Sequence, residues 1–485
     1  MASAQAADVG RTRVPARSMA KVIPARVFIS WAALAFMTTS SVASLRAAPT
    51  MAVYGLASVF LLVIPAIIFL VPTSLVSAEL ASGWSGGVYN WVAEGISPKL
   101  GFVAVWCQFA LTITYYPSLL AYVASTLAYV FDPGLAGNGV YTAIMIIAVY
   151  WLAVLLSSRG LKAIAGAASG GLWIGTLIPG AVLVILGIVF LTQGNHSAAP
   201  MDTHHLLPVW AGISSLVLIV NNFLSYAGME MNAVHVSELE NPARDFPKAI
   251  FLAMGLVLMI FIFPALAISW VVPAHALSLT SGVMQAFDAF FAHFGVSFLT
   301  PLFGIALVAA SLGGMLTWLA GPSKGLLLIS RSEGYLPPYF QKLNAQGIQQ
   351  NILVAQGVVT SVIALLYAFI PDVSSTYWIF SVITTQVYMI MYLLMFVAAA
   401  RLRRTQPDQA RGYKAPFLVP LCVVGFLASL AALIIGFIPP SQFGHSSFLA
   451  YFAIVGGGLF VLGLLIPYLL LRFRKPSWKM QEVSQ

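Results

Sequence analysis

Arg46 is the residue whose chemistry most needs an explanation. Its guanidinium is permanently charged and carries five N–H donors in a planar fork that matches a carboxylate bidentately. It closes the apolar run Val27–Leu45 and lies shortly before Pro49. An isolated cation at such a place in a membrane is costly. Three uses are open. Arg46 binds the side-chain carboxylate of an acidic substrate, forms an ion pair at an outer gate, or snorkels from a helix end that Pro49 marks.

Two polar interruptions of apolar sequence accompany it. Thr38, Thr39, Ser40 and Ser41, followed by Val42, put four consecutive hydroxyls at mid-membrane depth. Hydroxyls there either re-satisfy backbone groups freed by an unwound helix or hydrogen-bond within and between intact helices. The second interruption is Ser225-Tyr226-Ala227-Gly228-Met229-Glu230, with Asn232 just beyond. Glycine tolerates the dihedrals of a break, and an acid at this depth must be paired, protonated or facing water. Glu230 therefore either braces a broken helix or meets a ligand, and Tyr226 either packs or closes over one. Bare amides of a half-helix form an anion site. The chemistry these residues suit is the grip of a zwitterion rather than the breaking of a bond.

The elements that carry them are membrane helices. The chain has 485 residues, 60% hydrophobic and 8% charged, with a mean hydropathy of +0.93, outside the range of soluble domains. Twelve apolar spans of the length a bilayer requires account for nearly all of it. They run at about 27–46, 56–80, 100–130, 140–156, 161–191, 208–236, 250–272, 296–329, 352–369, 377–400, 417–438 and 448–471. Pro49 is expected to end the first. The stretch 83–98 is too polar to span, and the amphipathic 277–294, with Asp288 and His293, reads as a surface helix. Residues 1–26 read as a cytoplasmic N-terminal tail, 27–471 as one twelve-helix membrane domain and 472–485 as a cytoplasmic C-terminal tail.

With the N-terminus inside, 22 of the 23 Lys and Arg residues fall on the inner side, Arg46 being the exception. That bias sets orientation during insertion. The net charge of +9 is thus a topology signal and a source of contacts to anionic lipid, not a nucleic-acid footprint. Cys107 and Cys422 lie in apolar runs without metal-ligand spacing and read as small buried hydrophobes. His196, His204, His205, His275, His293 and His445 fall in outer loops, and His235 near the inner end of span 6. No pair has ligand spacing within one helix. This weighs against the competing class, an integral membrane enzyme or respiratory subunit with intramembrane haem or metal. No cofactor or metal is expected.

The two interruptions sit five spans apart, as in a five-plus-five inverted repeat whose first helices are discontinuous. Downstream of the second, the sequence Glu238-Leu239-Glu240-Asn241-Pro242-Ala243-Arg244-Asp245-Phe246-Pro247-Lys248 completes a pattern. Ser-Tyr-x-Gly-x-Glu followed by Glu-x-x-Asn-Pro-x-Arg-x-x-Pro resembles the diagnostic motif of the amino acid–polyamine–organocation (APC) superfamily. Val234–Glu238, Ala78–Ala81, Gly86–Val92, Gly282–Gln285 and Trp318–Gly325 are similar to its glutamate:GABA antiporter branch.

The resemblance implies twelve helices and alternating access, with a substrate held at breaks in helices 1 and 6. By position, those breaks fall at Thr39–Val42 and Tyr226–Asn232, and Arg46 stands where the branch has a path-lining tyrosine. The inner-loop motif carries over to Glu238, Asn241, Pro242 and Arg244. The chain departs from the branch in three places. Gly313-Gly314 replaces an acid of helix 8, Ser169 or a neighbour replaces a lysine of helix 5, and no long plug follows Arg472. The expectation is an all-α secondary amino acid transporter of exchanger type in the bacterial inner membrane, with both termini cytoplasmic. A proton- or sodium-coupled amino acid importer is the alternative. Oligomeric state is left open.

Overall fold

The computed structural model describes residues 29–158, 173–233, 235, 239–370, 372–443 and 447–480. Ten helices there are long and apolar enough to cross a bilayer: α3 (Gly55–Gly83), α5 (Pro98–Phe131), α6 (Gly139–Ser157), α7 (Trp173–Thr192), α10 (Pro242–Val271), α12 (Ser297–Glu333), α13 (Gln350–Phe369), α14 (Val373–Thr405), α15 (Leu418–Ile435) and α16 (Phe448–Phe473). Two further crossings are interrupted. The first is α1 (Trp31–Val42) with α2 (Ala48–Ala52), and the second is α8 (Val220–Tyr226) with α9 (Met229–Ala233). Short α4 (Gly87–Gly95) and α11 (Gly282–His293) complete the set.

The first crossing begins where Ser30 caps α1, its hydroxyl accepting from Ala33 N at 3.1 Å. It stops being helical at Ala43 and Ser44, both extended, and resumes through a 3-10 turn, Leu45–Ala47, into α2. Two expectations are corrected here. The break falls just after Thr39–Val42, and Pro49 opens a half-helix instead of ending the span. Proline suits a first helical turn, whose N–H groups have no partner in any case. The Ser44 hydroxyl accepts from Arg46 N at 3.3 Å and supplies the start signal. The hydroxyls upstream are turned inward on their own helix. Thr39 donates to Ala35 O (2.8 Å) and Ser40 to Met37 O (2.8 Å), so they leave α1 intact.

The second crossing passes through a 3-10 stretch, Ile213–Ile219, into α8. It breaks at Ala227, extended, and Gly228, at φ +106°, inside the expected Tyr226–Asn232. The motif beyond it also builds a helix. Asn241 O accepts from Arg244 N (3.0 Å) and Asp245 N (2.8 Å), Pro242 takes the first position of α10, and the helix begins there rather than at Ile250. An isolated parallel bridge joins Ile29 to Leu239, tying the entrance of the first broken crossing to the exit of the second.

Five crossings reverse chain direction, so the set that opens on α8–α9 runs opposite to the set that opens on α1–α2. The fold is a five-plus-five inverted repeat followed by α15 and α16. The chain is a multi-pass membrane protein. The most enclosed helices are α5 and α14, which pack along each other, while α15 and α16 leave most of their apolar surface on the periphery. Basic helix ends gather on one face. There Glu79, buried at the end of α3, pairs with Arg403 and lies 3.6 Å from Arg411, and accepts from Ala415 N at 2.7 Å. Arg474 lies 3.7 Å from Glu333. We call this the basic face and the opposite side the far face.

Candidate functional site

A cavity of about 270 Å3 lies where the two breaks meet. The first crossing contributes Ser40, Val42, Ala43, Ser44 and Arg46, and the second contributes Leu224, Ser225, Ala227 and Met231. The remaining wall comes from α5 (Leu111, Tyr115, Leu119, Tyr122), α7 (Gly175, Thr176), Phe261 of α10, α12 (among them Ser311, Gly314, Trp318) and Tyr388 of α14. No Asp or Glu is among the described residues that line it.

Arg46 is 8% exposed, and that exposure is toward the cavity. It sits in the first turn after the break, Leu45–Ala47, which aims its long side chain at the face of α5. Its guanidinium lies over the Tyr115 ring at 5.1 Å and over the Tyr377 ring at 5.8 Å. Nη1 donates to Ser118 Oγ (3.3 Å) and, at 3.5 Å, to the Tyr377 hydroxyl. Aromatic faces and neutral hydroxyls surround the charge. No carboxylate among the described residues pairs with it.

Glu230 is buried on the other side of the second break, behind the cavity wall. Its carboxylate accepts from the Tyr388 hydroxyl (2.5 Å), the Tyr392 hydroxyl (2.6 Å) and Gln108 Nε2 (3.3 Å). The Tyr392 hydroxyl in turn accepts from Gly228 N at 2.8 Å. The break is thereby bolted to α14 and α5. A side chain at Gly228 would meet the Trp318 ring at 3.5 Å. That ring stands between Tyr115 (5.5 Å) and Tyr388 (6.3 Å) and lines the cavity beside the break.

The residues singled out from the sequence divide by place. Ser40, Val42 and Arg46 line the cavity. Thr38 and Thr39 are buried on α1, away from it. Tyr226 packs on Phe261 at 5.7 Å and donates to Leu62 O at 2.9 Å, so its hydroxyl is committed to α3. Gly228 forms the break, and Met229 and Glu230 are buried behind it. Asn241, Pro242 and Arg244 stand at the basic face, where they start α10. Glu238 and Ser169 lie outside the described residues, as do the side chains of Ser41 and Asn232. Gly314 lines the cavity. Sequence reasoning did not find Tyr115, Ser118, Trp318, Tyr377, Tyr388 or Tyr392. The local signals for any of them were the motif that opens on Trp318 and the spacing of Tyr388 and Tyr392, one helical turn apart in an apolar helix.

Comparison with known proteins agrees with this architecture. The family model described as amino acid permease matches residues 29–460. An uncharacterised transporter of Legionella pneumophila is 34% identical over 442 residues, covering 90% of this chain and 95% of that protein. A glutamate/gamma-aminobutyrate antiporter of Lactococcus lactis (strain IL1403) is 26% identical over 417 residues, 84% of this chain and 83% of that one. Among solved structures, MhsT in complex with L-phenylalanine superposes with a TM-score of 0.56 at 16% identity, covering 84% of this chain and 98% of its own. That likeness establishes the fold alone. The chain belongs to the amino acid permease family of the APC superfamily and is an amino acid transporter.

Proposed function

We propose that this transporter is an exchanger of the glutamate/GABA type, working by alternating access in the bacterial inner membrane with its basic face to the cytoplasm. The observation that carries the reading is Arg46, a buried cation that opens on a cavity between two helix breaks and has no acidic partner among the described residues. A substrate carboxylate completes it: the guanidinium fork takes the side-chain carboxylate, and backbone groups freed at the breaks take the zwitterion. Ser40, Val42 and Ser44 form the floor of that site. Glu230 contributes by holding the break rather than by touching the substrate, since its oxygens are occupied by Tyr388, Tyr392 and Gln108. The name of the Lactococcus relative supports the same substrate pair.

Counterflow in proteoliposomes tests it. Vesicles preloaded with glutamate or GABA are expected to accumulate labelled glutamate, and empty vesicles are not. Uptake that is indifferent to internal amino acid but requires a sodium or proton gradient would replace exchange with coupled import.

A further inference from the structure

We propose that the substrate-free carrier binds a small inorganic anion, chloride being the probe of choice, at Arg46. The inference shares its cavity with the exchanger reading and concerns the state that reading leaves without a ligand. A guanidinium removed from water without a counter-charge is strongly destabilising, and membrane proteins pair or hydrate such groups. The Tyr115 and Tyr377 faces replace part of the lost hydration but bring no negative charge. Only Nη1 has acceptors, both neutral hydroxyls at 3.3 and 3.5 Å. Nε and Nη2 have none among the described residues, and the side chain borders the cavity. The donors needed for a halide are therefore in place on the guanidinium fork itself, at Nε and Nη2, while Ser118 Oγ, which donates to Tyr115 O at 2.9 Å, and the Tyr377 hydroxyl hold Nη1. No carboxylate among the described residues lines the cavity to repel it. The anion and the substrate carboxylate occupy one charge, so they exclude each other, and loading of an acidic substrate releases the anion to the side it came from.

The test uses the full chain in detergent or nanodiscs without amino acid, at constant ionic strength, with chloride replaced by gluconate. Chloride is expected to raise the apparent melting temperature, and Arg46→Gln to abolish that rise. With substrate present, chloride is expected to raise the apparent Kd for glutamate roughly tenfold when it stands at about ten times its own dissociation constant. Crystals soaked in bromide give a second measurement that no variant is needed for: an anomalous peak at hydrogen-bond distance from the Arg46 guanidinium. Equal melting in chloride and gluconate, a chloride response retained by Arg46→Gln, or bromide density elsewhere only would each overturn the proposal. The two readings fail separately. An anion response without amino acid counterflow removes the exchanger and leaves the anion site. Counterflow with no anion response does the reverse.

Discussion

At the scale of single residues, the proposed function assigns the preference of the cavity to Arg46. Hydrogen bonds to a charged group contribute about 1.5–3 kcal/mol when formed away from water. Replacing Arg46 with Ala is therefore expected to weaken the apparent affinity for glutamate by roughly tenfold or more, while uptake of neutral amino acids is much less affected. Equal effects on both in a competition assay would mean that Arg46 has a structural role only. Arg46 was conspicuous in the sequence because a lone cation in an apolar run has few explanations. Its cage was not. Tyr377 lies 331 positions away, and nothing local to Tyr115 or Tyr377 distinguishes a ring beneath a guanidinium from ordinary packing. Glu230 shows the same limit. Its burial was foreseeable, but its hydrogen-bond partners Tyr388 and Tyr392 are 158 and 162 positions distant.

At the scale of elements, the breaks are made by opposite means. The first is bounded by capping: Ser44 accepts from Arg46 N, and Pro49 fits the first turn of α2. Reading Pro49 as a stop rather than a restart displaced the expected end of the crossing, because proline is compatible with both and only the cap decides. The run of hydroxyls misled in the same way, since hydroxyl back-bonding is as comfortable in a continuous helix as near an interruption. The second break depends on Gly228, whose φ of +106° is rarely adopted by residues with a side chain. The Trp318 ring, 3.5 Å from an added Cβ, leaves room for a methyl group, so the penalty of Gly228→Ala is in the backbone, about 1–3 kcal/mol. The chain is expected to relieve it by shifting Ala227 and Gly228 toward helical dihedrals, which pulls Gly228 N off the Tyr392 hydroxyl. Exchange should then fall sharply while the variant still inserts and purifies as a monodisperse species. Full exchange in Gly228→Ala would show that the break is not needed for transport.

At the scale of the whole molecule, span number and the five-plus-five plan were legible because bilayer thickness and the need to satisfy every backbone group leave few alternatives. The order of the crossings and the gathering of basic ends on one face follow from the same sequence pattern. Glu79 with Arg403 and Arg411, and Arg474 with Glu333, join ends that lie far apart in the chain. Which face is cytoplasmic is a separate question, answered during insertion by the cations themselves. The two native cysteines make it directly measurable, since Cys107 and Cys422 are both buried and offer little background to a membrane-impermeant maleimide. Thr203 lies in the exposed far-face loop between α7 and α8, and Asp408 in the exposed basic-face loop between α14 and α15. Thr203→Cys is expected to be labelled in intact cells, and Asp408→Cys only after the membrane is permeabilised. The reverse pattern would invert the molecule. Arg401, Arg404 and Lys414 would then face the outside, against the cation bias.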